Sequence, residues 1–365
     1  IKMLIVPVIF FSVTSGIAAI GDVQRLKRIG SKVVIVYFLM TVIACIVGIV
    51  MVNITHPGVG FTLDNMQAFD TSKVKTPSFV NFLFDMVPVN IVDSMAKNQI
   101  MQMIFFTVLV GVALVSLGEK VAGVTKIFDQ CASIIYKMLD IVMLYSPIGV
   151  LALMANTTAV FGPKLFGVLA KFVFTDWVGC LLIWFFFSGI VWLYTKVNYL
   201  EMCKSMIPIW VNTIATNSSA GTIPITLNVT TERLKVPMSI ASFSIPLGAT
   251  INLTGAALYK TILAFFVAEI YGLQLTIDQI LMVIIISTIM SIAAPGIPGG
   301  GIVTGAIFLN LLGLPMDLMG PIAGMYRLID MSHTTVNVSG DVLGTMLVAK
   351  NENIWTGEDF NKTLV

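Results

Sequence analysis

IPIWVNTIATNSSAGTIPITLNV, residues 207–229, sets two apolar arms on either side of a polar centre, TNSSAGT. Each arm is about 10–14 residues long, too short for a bilayer that asks about 20 of a helix. Backbone that leaves the helix at membrane depth survives only where protein buries it or where it lines a wet cavity. The stretch therefore reads as a re-entrant hairpin with a non-helical tip. Residues 281–312 repeat the design, with apolar arms around SIAAPGIPGGG (291–301). Two broken hairpins in corresponding places, each followed by a full span, are the pattern of an inverted-repeat secondary transporter with a midplane site.

The composition agrees. The 365 residues are 57% hydrophobic and 11% charged, with a mean hydropathy of +0.95. A soluble domain is roughly half apolar and a quarter charged, so an all-α membrane protein is expected. Full spans are predicted near 1–20, 33–53, 100–117, 129–158, 166–195, 238–270 and 316–349. The chain starts inside an apolar stretch with neither initiator Met nor signal-peptide pattern, and at least one further helix is expected upstream. Residues 79–99, interrupted by Asp85, Pro88 and Asp93, predict short helical pieces, and 56–78 an aqueous loop. The distribution of Lys and Arg puts 21–32, 196–204 and 231–236 in the cytoplasm. A net charge of +2 gives no ground for a nucleic-acid partner. Cys45, Cys131, Cys180 and Cys203 lack metal spacing and read as small apolar residues. His56, before Pro57, reads as a loop residue after a helix end.

Three constellations carry chemistry. In RLIDMSHTTVNVSGDVLG (327–344), Asp330, His333, Thr334, Asn337 and Asp341 share one helical face. An intramembrane Asp costs about 2.5–3.5 kcal/mol on insertion scales and is functional or paired. Asp330 and Asp341 lie some 16 Å apart along a helix, too far for the shared proton of a protease dyad. The stripe reads as a ligand site rather than an enzyme's, and an ion channel is the other competing class. In GATINLTGAALYK (248–260), glycines flank Thr250, Asn252 and Thr254 and favour local unwinding, which frees carbonyls for a hard cation. At the two hairpin tips, Ser218 and Ser219 and the run PGIPGGG offer backbone amides to a carboxylate. GIPGGG lacks a following Lys-Ser/Thr and is no Walker loop.

With TNSSAGTIPIT, GATIN before NLTGA, a Gly-Pro-Gly tip and D-x-x-x-T-x-x-N-x-x-x-D in the last helix, the chain resembles the dicarboxylate/amino acid:cation symporters, the glutamate transporter homologues. The resemblance implies a multi-pass plasma-membrane homotrimer with an elevator mechanism, sodium as coupling ion and no organic cofactor. It implies a scaffold (1–32 and 79–165) and a transport domain. The latter comprises 33–78 and 166–350, with hairpins 201–230 and 277–313, the unwound helix 238–270 and the last helix 316–349; residues 351–365 form a tail. Asp330 would meet the substrate's amino group and Thr334 and Asn337 would flank it. Ser218, Ser219, Gly296, Pro298 and Gly299 would supply the tips, and Ala256 would line the pocket. Asp341 with carbonyls of Gly248, Asn252 and Asn337 would form one sodium site, and backbone around Thr250, Ser291 and Ile292 a second when the lid closes. A third, built on Tyr37, Thr41 and Thr254, is altered relative to the family pattern.

Members that carry acidic amino acids place an arginine where His333 stands and a threonine where Ala256 stands. That departure predicts a small neutral amino acid as substrate. The alternatives are an acidic amino acid with His333 replacing the arginine, and proton coupling in place of sodium.

Overall fold

The structure is a computed structural model that describes residues 5–18, 29–60, 86–97, 99–145, 164–292 and 299–362, with positions 84, 148, 151, 152, 155 and 159. Every regular element among the described residues is helical. In chain order they are α1 (Ile5–Ala18), α2 (Ser31–Thr55), α3 (Ile91–Ala96), α4 (Ile100–Leu117), α5 (Ala122–Leu144), α6 (Lys164–Thr195) and α7 (Tyr199–Thr216). There follow α8 (Ser219–Asn228), α9 (Met238–Ile251), α10 (Thr254–Ile270), α11 (Ile277–Ile292), α12 (Gly300–Leu311), α13 (Met319–Asn351) and α14 (Gly357–Asn361).

Residues 31–55, 102–135, 165–195 and 238–270 are long and apolar enough to cross a membrane. The second of these passes from α4 into α5 through a short 3-10 turn at Gly118–Val121. The helix expected to start at 129 starts earlier: α5 runs from Ala122 to Leu144, and positions 148, 151, 152, 155 and 159 are helical as well. The polar residues of AGVTKIFDQ, which made 122–128 look like a loop, sit on the outer side of an amphipathic helix. Within 79–99 one six-residue helix, α3, is described, its first turn capped by the Asn90 side chain, which accepts from Val92 N at 2.9 Å. Most of the expected loop 56–78 lies outside the described residues.

Two packing groups emerge. Helix α1 lies against α4 and α5, with Phe10 stacking near Phe106 and Phe128. Helices α2, α6, α11, α12 and α13 surround α10, which is buried along nearly its whole length. A helix apolar on every side can rest only inside a protein or a membrane, and α10 takes the first course. His56 ends α2 in a left-handed conformation, and its Nδ1 lies 3.0 Å from Glu269 on α10.

The helix breaks position the site. Between α7 and α8, Asn217 adopts the left-handed region (φ 50°) that asparagine tolerates. Ser218 then caps α8, accepting from Gly221 N at 3.0 Å. Between α9 and α10 the helix is interrupted at Asn252 and Leu253, inside the stretch predicted to unwind. Helices α11 and α12 flank the second glycine-rich run. Gly299 caps α12 at φ 75°, and 293–298, with Gly296 and Pro298, lie outside the described residues.

Candidate functional site

The polar stripe of α13 faces inward. Asp330, His333, Thr334, Asn337 and Asp341 are each less than a tenth exposed, and they lie beside α6, α9 and α10. Seven buried side-chain polar atoms lack a partner among the described residues, and four of them gather here: Asn252 Oδ1, Thr254 Oγ1, Tyr259 Oη and His333 Nδ1. Buried polar groups are ordinarily satisfied, so this concentration marks a place built for a ligand.

Around Asp341 the arrangement is oxygen-rich. Asn252 Nδ2 donates to Asp341 Oδ1 at 2.9 Å and lies 3.5 Å from the Asn337 carbonyl. Gly248 packs so closely that a Cβ there would collide with the Asp341 carboxylate. Gly248, Asn252, Asn337 and Asp341 are thus brought together as the sequence predicts. Asp341 has no basic partner among the described residues. A buried carboxylate with an orphaned amide oxygen beside it fits a hard monovalent cation such as sodium. Thr250 lies half-buried nearby, its hydroxyl donating to the Leu247 carbonyl. Of the altered third set, Tyr37 Oη sits 3.1 Å from both the Ser244 and Asp341 carbonyls, and Thr41 Oγ1 donates to Tyr37 O. Only Thr254 of the three keeps an unpartnered hydroxyl.

One helical stretch earlier, Asp330 meets the second glycine-rich run. Gly299 N donates to its Oδ2 at 3.2 Å, and Tyr326 Oη to its Oδ1 at 3.4 Å. Asn337 spends its side-chain oxygen on Gly255 N at 2.7 Å, an amide left over at the start of α10. What remains for a substrate is its Nδ2, less than the sequence expectation gave it. Thr334 and Ser219 are buried alongside, and Ala256 lies one turn into α10.

Two residues were missed from sequence. Asp176, the single acid of α6, accepts from Ser332 Oγ at 3.1 Å and holds His333 Nε2 at 2.8 Å, both side chains fully out of solvent. The His333 ring packs near Tyr259 and Tyr326, with centroids 5.3 and 6.3 Å away. Lys260 is wholly buried in α10 and donates to Ala256 O and Ser291 Oγ, each at 3.2 Å. The Ser291 hydroxyl is thus met by an amino group; the main-chain oxygen that the resemblance assigns to sodium is a different atom. The signal for both was present: a charge alone in an apolar helix is functional by default.

A sequence model of the sodium:dicarboxylate symporter family matches residues 1–351. The chain belongs to that family. This sodium:dicarboxylate symporter family member is 30% identical over 365 residues to the "Proton/glutamate-aspartate symporter" of Bacillus subtilis (strain 168), covering 99% of this chain and 88% of the relative. It is 32% identical over 363 residues to the protein of the same name in Escherichia coli (strain K12), covering 97% and 83%. It is also 31% identical over 362 residues to the "C4-dicarboxylate transport protein" of B. subtilis, covering 97% and 85%. The family is one of membrane symporters, and no catalytic family is indicated.

Proposed function

We propose that the protein is a cation-coupled symporter for an acidic amino acid, aspartate or glutamate, in the plasma membrane. The observation that carries this is the Asp176–His333 pair. Asp176 fixes the imidazole through Nε2 and leaves Nδ1 buried and unpartnered within reach of the Asp330 region. When a carboxylate-bearing side chain enters with a proton for the ring, Nδ1 would donate to it and Asp176 would be the countercharge across the imidazole. The neutral amino acid expected from the missing arginine gives way to this reading. It rested on the arginine absent at His333 and the threonine absent at Ala256, whereas the relatives named above are described as glutamate–aspartate or C4-dicarboxylate carriers. Between those two descriptions Asp330 favours an amino acid. Among the described residues its carboxylate meets neutral donors, Gly299 N and Tyr326 Oη, which suits a substrate ammonium and not a second carboxylate.

In the transport cycle, a cation at Asp341 orders Asn252 and the interruption that carries it. That order is transmitted to Asn337, Gly255 and the substrate pocket, so each ligand raises the affinity for the other. We assign α1, α3, α4 and α5 to a trimeric scaffold and the remaining helices to a transport domain that moves as an elevator, with α7–α8 and α11–α12 as the re-entrant hairpins. The test is uptake of radiolabelled aspartate, glutamate, succinate, serine and alanine into proteoliposomes, with sodium and proton gradients applied separately. Concentrative uptake of aspartate or glutamate is expected. Uptake of serine or alanine alone would refute the acidic reading and restore the neutral one.

A further inference from the structure

Lys260 has no role in the scheme above. It is wholly buried in a helix that is itself buried, and a lysine at membrane depth is not retained without a task. Other lysines of the chain sit at exposed edges beside acids: Lys32 with Glu352, Lys97 with Asp93, Lys204 with Glu201. Lys260 makes no ion pair among the described residues. The thiol of Cys45 on α2 sits 3.8 Å from Thr288 Oγ1 on α11. The acids and imidazole of α6 and α13, namely Asp176, Asp330, Asp341 and His333, have the other partners described.

What Lys260 does hold is a pair of oxygens: a hydroxyl on the last turn of α11 and a carbonyl on the first turn of α10. A serine hydroxyl and a main-chain carbonyl are the ligands a small hard cation would take, here met by nitrogen at 3.2 Å from each. An ammonium and a metal cation cannot share those oxygens in a low-dielectric interior. We infer that the Lys260 ammonium is a tethered cation that takes the place of a diffusible coupling ion between α10 and α11. The protein then binds one cation fewer from solution, and the Asp341 oxygens are where the diffusible cation binds. This rests on the symporter reading for its meaning but not for its measurement.

The experiment uses the full chain in nanodiscs at constant ionic strength, with choline replacing sodium. The slope of log Kd for aspartate against log sodium concentration counts the sodium ions bound with substrate. Lys260→Met and Lys260→Gln are expected to steepen that slope by about one ion relative to wild type, and Lys260→Arg to leave it unchanged. Identical slopes in correctly assembled Met and Gln variants overturn the inference. Ser291→Ala provides an independent arm should those variants not assemble. Its slope is expected to equal that of wild type, and a slope lower by about one shows that sodium uses that hydroxyl and defeats the idea. If the wild type binds no aspartate, the acidic-substrate reading has failed on its own. Sodium-dependent melting without substrate then decides: a larger sodium shift in Lys260→Gln than in wild type upholds the tethered cation, and equal shifts overturn it.

Discussion

Asp176 and Asp341 are both carboxylates sealed in an apolar interior, yet their surroundings differ in kind. Asp176 has an imidazole and a hydroxyl from α13, so its charge is answered within the protein. Asp341 has an amide and a close glycine, and among the described residues no basic partner. Leaving a buried charge without a counter-ion is far more costly than leaving a paired one. The first carboxylate therefore holds His333 in place, and the second is the one that the proposed scheme completes with an ion from outside.

Variants can break that contrast, beginning with the residue between the two. Asp330→Asn removes the countercharge for the substrate's amino group and is expected to weaken aspartate binding by about 3 kcal/mol or more, while sodium-induced stabilisation persists. Calorimetric titration checks both; near-normal aspartate binding would exclude the amino-group role. Asp341→Asn should abolish the sodium dependence of substrate affinity and lower that affinity by up to about 100-fold at saturating sodium. Sodium-dependent affinity retained in this variant would mean that the diffusible cation binds elsewhere. Asp176→Asn frees the imidazole without touching the cation region. It should reduce aspartate affinity roughly tenfold, as loss of one charge-assisted hydrogen bond does, and leave the sodium slope as it was. A double-mutant cycle with His333→Gln would show strong coupling between the two; additive effects would deny that Asp176 holds the ring. Gly248→Ala, which drives a methyl into the Asp341 carboxylate, should destabilise the protein by about 1–3 kcal/mol and blunt the sodium-induced rise in melting temperature.

Much of this was legible in the sequence, for a local reason. The stripe on α13 follows from spacing within one helix, and the interruption at Asn252 from glycines and polar residues crowded into an apolar run. The break at Asn217 falls in the polar centre that separates the two short arms. Partnerships between distant segments were not legible. Asp176 and His333 are separated by 157 positions and Lys260 and Ser291 by 31, so no periodicity links them. The misplaced start of α5 has the opposite origin: its polar outer face imitated a loop.

Asn337 has a consequence of its own. Its main-chain oxygen faces Asn252, on the α9 side of the interruption, and its side-chain oxygen secures Gly255, on the α10 side. One residue thereby grips both lips of the gap, so that an ordering of Asn252 on one side would be felt at Gly255 on the other. A bulkier alkali ion such as caesium is then expected to order the gap less well than sodium and to raise aspartate affinity less.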